Sequence, residues 1–215
     1  MKRSCLAILL SLLLVGCGGS ASDAPPAANS TATTEARAPE PLPDVVRVKL
    51  ATEAGDIVLA LDAKRAPITT ANFVRYVEEK RLDGTSFYRA APTKRQPGKG
   101  FIQGGIQRSY KRMLPPIEHE PTSQTGLRHE AGTISMARPE EGKATGEFFI
   151  TLSAQPAMDS APGKPGYAAF GKVVEGIDVA RKILAAPTIP NAGRGKLRGQ
   201  MIEKPVTIVA ARRVG

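Results

Sequence analysis

The pattern of apolar and polar positions changes near residue 45, where regular alternation begins. Apolar side chains occupy every second position in two nearby runs: Val46, Val48 and Leu50, and then Ile57, Leu59 and Leu61. The segment Glu53-Ala54-Gly55-Asp56 between the runs contains residue types that turns favour. A period of two places these apolar side chains on one face of each strand. The sequence therefore predicts an opening antiparallel hairpin.

Two later segments have helical spacing instead. Pro67 begins a stretch in which Phe73, Tyr76 and Val77 recur on one helical face, and Asp83-Gly84 marks its expected end. A second helix is predicted from Ile177 to Leu184. Six further short strands are predicted around residues 86–90, 101–104, 133–137, 147–152, 168–174 and 206–212. Many short strands and two helices predict one mainly β domain, a closed sheet capped by helices.

The first residues have the pattern of an export signal. Lys2 and Arg3 provide a positive start, and the apolar stretch from Leu6 to Val15 is too short to span a bilayer. It ends in Leu14-Val15-Gly16-Cys17, which resembles the bacterial lipobox, whose cysteine receives lipid. We therefore predict a lipoprotein signal peptide over residues 1–16 and lipidation at Cys17. The alternative is an ordinary secretory peptide with a chance cysteine.

Residues 17–43 are predicted to hold the lipid-attached cysteine and a flexible linker. The segment is rich in Ala, Pro, Ser and Thr, so it cannot bury enough apolar surface to offset the cost of ordering. A domain over residues 44–215 would then be tethered to the cell envelope. Because Gly18 rather than Asp follows Cys17, we expect the periplasmic face of the outer membrane if the cell is Gram-negative.

The charge of the chain is strongly positive. The formal net charge is +10, and loss of Lys2 and Arg3 with the signal, two positive charges, leaves +8. Such charge could contact anionic lipid, wall polymers or nucleic acid, but export argues against nucleic acid as a partner. A solvated basic surface is the favoured interpretation. With Cys17 lipidated, no thiol remains in the domain to form a disulfide.

The sequence offers no signature of metal or nucleophilic catalysis. The domain has no cysteine, and its two histidines, His119 and His129, lack partners at ligand spacing, so structural roles are their default interpretation. No glycine loop has a recognised phosphate-binding spacing. We therefore expect neither a metal nor a cofactor.

Five sequence blocks, in order, resemble a known family. They are Ser86-Phe87-Tyr88-Arg89, Phe101-Ile102-Gln103-Gly104-Gly105, Gly132-Thr133-Ile134-Ser135-Met136-Ala137, Gly146-Glu147-Phe148-Phe149-Ile150 and Tyr167-Ala168-Ala169-Phe170-Gly171. The family is the cyclophilins, and the resemblance covers roughly residues 45–215. It implies a closed eight-stranded antiparallel barrel with an α-helix at each end, a monomeric state, and peptidyl-prolyl cis/trans isomerase activity on proline-containing segments of unfolded or exported proteins.

The resemblance also implies the residues of an active site. Arg89 would be the catalytic arginine, Gln103 would steady it and contact substrate backbone, and the backbone of Ala137 would pair with the peptide. Glu147 stands where glutamine is frequent, and we expect its carboxylate to reach and orient Arg89. A fixed guanidinium can favour a twisted amide over both planar isomers, and no bond needs to break.

An apolar pocket for the proline ring is the second part of the implied site. Phe149 would form its floor, and its other walls would be Phe101, Met158 and Tyr167. Taken alone these four could be ordinary core residues, and the surrounding blocks favour the pocket. A ring remains at position 167, where histidine is common in the family.

Three departures from the family pattern leave other functions open. The segment Ala90–Gly100 is longer than the usual loop and could shape substrate choice or be a tolerated surface loop. Gly100 falls where a pocket phenylalanine is usual, and Ala157 where tryptophan is often found. The alternatives are a non-catalytic proline-binding module or holdase, and a structural lipoprotein that contacts wall or lipid through its basic surface.

Overall fold

The first two strands form the predicted hairpin. The computed structural model describes residues 41–215, so the predicted signal peptide, Cys17 and most of the predicted linker lie outside it. Strands β1 (Val45–Thr52) and β2 (Gly55–Asp62) pair in antiparallel fashion. In this register each predicted apolar residue of one strand lies opposite a predicted apolar residue of the other. The partners are Val46 with Leu61, Val48 with Leu59 and Leu50 with Ile57, all buried. The alternation therefore identified the core face of both strands.

Seven further strands complete one antiparallel sheet. They are β3 (Thr85–Pro92), β4 (Gly100–Gly105), β5 (Thr133–Met136), β6 (Glu147–Thr151), β7 (Ala168–Glu175), β8 (Thr188–Ile189) and β9 (Met201–Val214). The strand order is β1-β2-β7-β5-β6-β4-β3-β9, and pairing of β9 with β1 closes the barrel. The two-residue β8 lies beside β9, outside the closed set. The predicted closed eight-stranded antiparallel barrel is confirmed.

Helices pack against this barrel, and one more was found than the sequence predicted. Helix α1 spans Pro67–Glu78, α2 is a single turn at Thr122–Thr125, and α3 spans Ile177–Leu184, as predicted. Short 3-10 turns cover Pro156–Met158 and Gly195–Leu197. Within residues 41–215, no helix is long and apolar enough to cross a membrane.

The end of α1 differs from the prediction. The helix stops at Glu78, before the expected signal at Asp83-Gly84, because Lys80 adopts a left-handed conformation with φ of 53°. The N–H of Lys80 donates to the Val77 carbonyl at 3.1 Å, and the N–H of Arg81 donates to the Tyr76 carbonyl at 2.8 Å. This pair of bonds is the Schellman motif, which usually needs glycine. A lysine at that position gave no stop signal.

Aromatic side chains fill the space between α1 and the barrel. Phe73 of α1 packs edge-on against Phe148 at 5.4 Å between ring centroids and lies 5.3 Å from Phe170.

The start of the helix is held by Glu120, whose carboxylate accepts hydrogen bonds from the N–H groups of Ile68 and Thr69 at 3.1 and 2.7 Å. Two otherwise unpaired helix donors are thereby satisfied.

The strand order brings distant parts of the sequence side by side. Gln103 on β4 pairs with Arg89 on one side and with Phe149 on the other, and Arg89 also faces Met201 on β9. Directly opposed residues in antiparallel strands project on the same side of the sheet. The four side chains therefore form one row across β9, β3, β4 and β6.

Candidate active site

Arg89 reaches the outer surface of the barrel through a β-bulge. Phe87 pairs with Gly104 and Arg89 with the next residue, Gln103, so Tyr88 is an extra residue on β3. The bulge interrupts the alternation, and Tyr88 and Arg89 are both partly exposed while Phe87 and Ala90 are buried. Bulges re-aim side chains in this way.

Three hydrogen bonds hold the guanidinium of Arg89. Its Nη1 donates to Gln103 Oε1 at 2.7 Å, while Nε and Nη2 both donate to Gln200 Oε1, at 2.9 and 2.7 Å. The guanidinium carbon lies 4.9 Å from the centroid of the Phe101 ring. Burial lowers the pKa of Arg89 below its ordinary value, but an arginine remains charged at physiological pH. The site therefore holds a fixed, partly desolvated cation.

A chain of side chains connects Arg89 to Glu147. Gln103 Nε2 donates to the Tyr88 hydroxyl oxygen at 2.6 Å, and the Tyr88 hydroxyl donates to Glu147 Oε2 at 2.6 Å. The other carboxylate oxygen accepts the N–H of Arg108 at 3.1 Å. Glu147 is therefore linked to Arg89 through other side chains and not by a direct hydrogen bond. Tyr88, unassigned from the sequence, and Gln103 stand between the two charges.

Burial shifts the pKa values of the two titratable side chains between Gln103 and the N–H of Arg108, Tyr88 and Glu147. It raises the pKa of Glu147, with the bonds from Tyr88 and the N–H of Arg108 acting in the opposite direction. Burial also raises the pKa of Tyr88, and the neighbouring Glu147 raises it further. Tyr88 therefore remains a hydroxyl donor throughout the neutral range, and Glu147 takes up a proton more readily than an ordinary glutamate.

An apolar pocket lies beside the cation. Phe149 is almost fully buried, at 3% exposure, and its ring centroid lies 5.6 Å from that of Phe101 and 5.4 Å from that of Tyr167. The surrounding groove has a volume of about 810 Å³. All eight residues that the resemblance implied line it: Arg89, Phe101, Gln103, Ala137, Glu147, Phe149, Met158 and Tyr167. A groove of this kind can hold an apolar ring with a cation next to it.

A buried histidine supports the pocket floor from behind. The His129 ring stacks on Phe149 with 5.7 Å between centroids and an interplanar angle of 13°. Its Nδ1 is 2.7 Å from Asp159 Oδ1 and its Nε2 is 2.9 Å from Ser135 Oγ. Ser135 is fully buried, so this Ser–His–Asp set cannot reach a substrate as a nucleophile would. The arrangement agrees with the structural role expected for His129.

Gln200, like Tyr88, is a contact of the site that the sequence did not reveal. It lies 111 residues after Arg89, in a polar loop with no apolar periodicity, and nothing in that loop indicates a contact with the site. Only the pairing of β3 with β9 brings it to the guanidinium. In the part of the chain that the structure describes, no group of three or more His, Cys, Asp or Glu residues is placed to hold a metal ion.

Known proteins of one family are similar to this chain over most of its length. The family model for cyclophilin-type peptidyl-prolyl cis-trans isomerases matches residues 47–212. The chain is 40% identical over 166 residues to peptidyl-prolyl cis-trans isomerase A of Dickeya dadantii (strain 3937), covering 77% of this chain and 83% of the relative. It is 36% identical over 172 residues to peptidyl-prolyl cis-trans isomerase cyp18 of Streptomyces antibioticus, covering 78% and 98%.

This chain is a member of the cyclophilin family. Its fold is also similar to a crystal structure of a cyclophilin-type isomerase of Cryptosporidium parvum, with a TM-score of 0.63 and 20% identity over 80% of this chain and 98% of that one. The same parasite protein has a structure determined in the presence of the dipeptide Ala-Pro. At this identity the likeness concerns the fold.

The structure shows where the residues that depart from the family pattern lie in this cyclophilin. Gly100 begins β4 with φ of +131°, and an added Cβ would lie 2.2 Å from the Ala91 carbonyl oxygen. No side chain can occupy that position without moving the backbone. Ala157 lies exposed in a 3-10 turn, directly before the groove residue Met158. The long segment between β3 and β4 is an exposed loop over residues 93–99.

Proposed function

We propose that this cyclophilin accelerates cis/trans isomerisation of Xaa-Pro bonds in exported proteins, with Arg89 as its catalytic residue. The observation that carries the proposal is the position of Arg89, fixed by Gln103 and Gln200 at the edge of an apolar groove. Isomerase activity is that of the family, and it appears in the names of the curated relatives.

The chemistry follows from the electronic structure of the amide. Rotation about the peptide bond breaks its resonance and has a barrier of about 18–20 kcal/mol. In the twisted state the proline nitrogen regains a lone pair, which a guanidinium N–H can bind, whereas the planar isomers offer no such acceptor. Each ~1.4 kcal/mol of preference for the twisted state is about tenfold in rate. Because Arg89 is held in advance, it does not need to reorganise.

The apolar groove supplies the second requirement, which is immobilisation of the proline ring. Phe149 would contact the ring from below, with Phe101, Met158 and Tyr167 around it. One side of the rotating bond is then held while the other turns. Exclusion of water by these side chains strengthens the hydrogen bond from Arg89, since the local dielectric constant falls.

The proposed location is the cell envelope, through lipid on Cys17. This rests on the sequence of residues 1–17, in which Lys2 and Arg3 precede a short apolar stretch that ends in Leu14-Val15-Gly16-Cys17. We also propose that the protein acts as a monomer. Substitution Cys17→Ala is expected to move the protein from the membrane fraction to the soluble envelope fraction. Unchanged membrane fractionation of that variant would contradict the anchor.

The decisive measurement is isomerisation of a short Xaa-Pro peptide by the purified protein and by Arg89→Ala and Arg89→Lys. Loss of the guanidinium is expected to lower kcat/KM about 100-fold, and lysine, which lacks the planar fork, is expected to restore little of it. Circular dichroism of each variant checks the fold. If the parent binds the peptide without accelerating isomerisation, the non-catalytic binding module becomes the better interpretation.

A further inference from the structure

Two loops leave the barrel at the same edge, next to Arg89. One covers residues 93–99 and joins β3 to β4, and the other covers residues 190–200 and leads into β9. Arg89 near the end of β3 pairs with Met201 at the start of β9, and the N–H of Ala90 donates to the Gln200 carbonyl at 2.9 Å. Because these strands are antiparallel, both loops extend in the same direction beyond Arg89.

These loops carry many cations and no carboxylate. Six exposed basic residues, here called the basic rim, belong to them: Lys94, Arg95, Lys99, Arg194, Lys196 and Arg198. Neither segment contains Asp or Glu. Arg198 donates to the Asn191 side-chain oxygen at 2.8 Å, but across residues 41–215 none of the six is in an ion pair. Elsewhere on the barrel, Arg212 pairs with Asp83 and Arg213 with Glu78.

The basic rim is continuous with the groove. Leu197 and Met201, on either side of Gln200, line the groove wall, and Gln200 itself holds Arg89. At the other loop, Gly100 is followed directly by Phe101, whose ring lies under the guanidinium. A polypeptide whose proline occupies the groove can therefore continue past the rim within a few residues on one side.

We propose that the basic rim binds acidic side chains near the substrate proline, so that this cyclophilin acts preferentially on proline segments with Asp or Glu on one flank. The inference rests on the proposed isomerase function and names its substrate class. Exposed cations contribute mainly through long-range attraction, which raises the encounter rate and is screened by salt. An acidic flank is the chemical complement of these cations, which have no ion-pair partner among residues 41–215.

The first test compares peptides that have the same length and contain one central Ala-Pro bond. Each peptide carries a run of Glu, Gln or Lys, either before or after that bond. In dilute buffer, kcat/KM for the better acidic peptide is expected to exceed that of its Gln counterpart by about three- to tenfold, and the Lys peptide to be the poorest. In about 0.5 M NaCl the differences should nearly vanish. Equal kcat/KM for the Glu and Gln peptides would overturn the proposal.

Matched variants locate the effect. The triple variant Lys94→Gln, Lys99→Gln and Lys196→Gln removes half of the rim and should lose most of the preference while turning over the Gln peptide normally. The control triple, Lys80→Gln, Lys172→Gln and Lys182→Gln, removes the same charge from exposed lysines in the turn after α1, on β7 and on α3, and should keep the preference. Equal losses in both triples would attribute the effect to net charge alone and reject a rim site.

Failure of the isomerase function and binding of the rim to lipid can each be distinguished from failure of the charge preference. If no peptide is turned over, the proposed isomerase function fails, and dissociation constants of fluorescein-labelled Glu and Gln peptides still decide the charge preference. If the rim triple loses binding to phosphatidylglycerol vesicles while the peptide preference is unchanged, the rim is a lipid contact and the substrate proposal is wrong. Retained vesicle binding together with lost peptide preference would support it.

Discussion

Gln200 Oε1 accepts two hydrogen bonds from the guanidinium of Arg89, from Nε at 2.9 Å and from Nη2 at 2.7 Å. One acceptor that engages two donors of a planar group fixes the plane of that group as well as its position. Nη1 is then directed to Gln103. Gln200 is therefore a positioning residue, which acts on the reaction through Arg89.

Substitution Gln200→Leu should lower kcat about tenfold and leave KM nearly unchanged, because the guanidinium stays in place but is no longer held in one orientation. Stopped-flow isomerisation of an Ala-Pro peptide provides both constants. Gln124→Leu, on the exposed side of α2, is the matched control and should behave as the parent. A normal kcat in Gln200→Leu would mean that Gln103 alone suffices to orient Arg89.

The barrel itself could be predicted because its signals are local. Alternation at Val46, Val48 and Leu50 identified the core face directly, and the bounds of α3 were predicted without error. The end of α1 was missed because Lys80 adopts a left-handed conformation, which a lysine in the sequence does not indicate. Local signals also missed β8, which has only two residues and exists through its pairing with β9.

The site was predictable only in part, for the same reason. Its apolar and cationic members lie within blocks that resemble the family, and the structure brings all of them to one groove. The contacts between them depend on the bulge at Tyr88 and on the closure of the barrel, which the sequence does not display. This explains why Gln200 was missed and why the link between Glu147 and Arg89 runs through Tyr88 and Gln103.

The ionisation of Glu147 is predicted to control the orientation of the hydrogen-bond chain to Arg89. An ionised carboxylate can only accept, so it fixes the Tyr88 hydroxyl as its donor, and the Gln103 amide then presents its oxygen to Arg89. A protonated Glu147 could donate to Tyr88 and reverse the chain, turning the Gln103 NH₂ toward the guanidinium. Activity should therefore fall on acidification, at a higher pH than an ordinary glutamate pKa would give, since burial raises the pKa of Glu147.

Glu147→Gln tests this relation because its amide can donate or accept and does not titrate. We expect kcat/KM at neutral pH to fall about three- to tenfold, and the acidic limb of the rate profile between about pH 4 and about pH 8 to flatten. His129→Gln, which removes the buried imidazole behind Phe149, should keep the limb. An unchanged turnover and profile in Glu147→Gln would show that the chain has no part in orienting Arg89.

Gly100 is predicted to be indispensable to the backbone. Its φ of +131° suits only glycine, and a Cβ there would lie 2.2 Å from the Ala91 oxygen and 2.8 Å from the Pro92 Cα. Gly100→Ala should lower the free energy of unfolding by about 3 kcal/mol or more in urea titrations. Gly98→Ala, with φ of +75° and no atom within 4 Å of its added Cβ, should cost only about 1 kcal/mol. Equal costs would mean that the start of β4 yields to a side chain.

His129 is predicted to make the stability of the barrel sensitive to acid. Burial lowers its pKa below 6.5, although Asp159 acts in the opposite direction, so the folded protein holds the imidazole neutral where the unfolded chain already binds a proton. The free energy of unfolding must then decrease as pH falls below 6.5, and it stops decreasing for this reason only below the folded-state pKa. Replacement of His129 also removes the hydrogen-bond partner of Ser135 and the ring that stacks on Phe149.

The comparison that isolates this effect is urea unfolding of the parent, His129→Gln and His119→Gln at about pH 7.5 and about pH 5.5. At the higher pH His129→Gln should be less stable by about 1–2 kcal/mol, from lost hydrogen bonds and packing. On acidification it should lose less stability than the parent, since no buried imidazole remains to resist protonation. His119→Gln is the control for the loss of one histidine, and His119 contacts the Pro165 carbonyl at 3.0 Å. Parallel pH dependences of His129→Gln and the parent would assign the acid sensitivity to other groups.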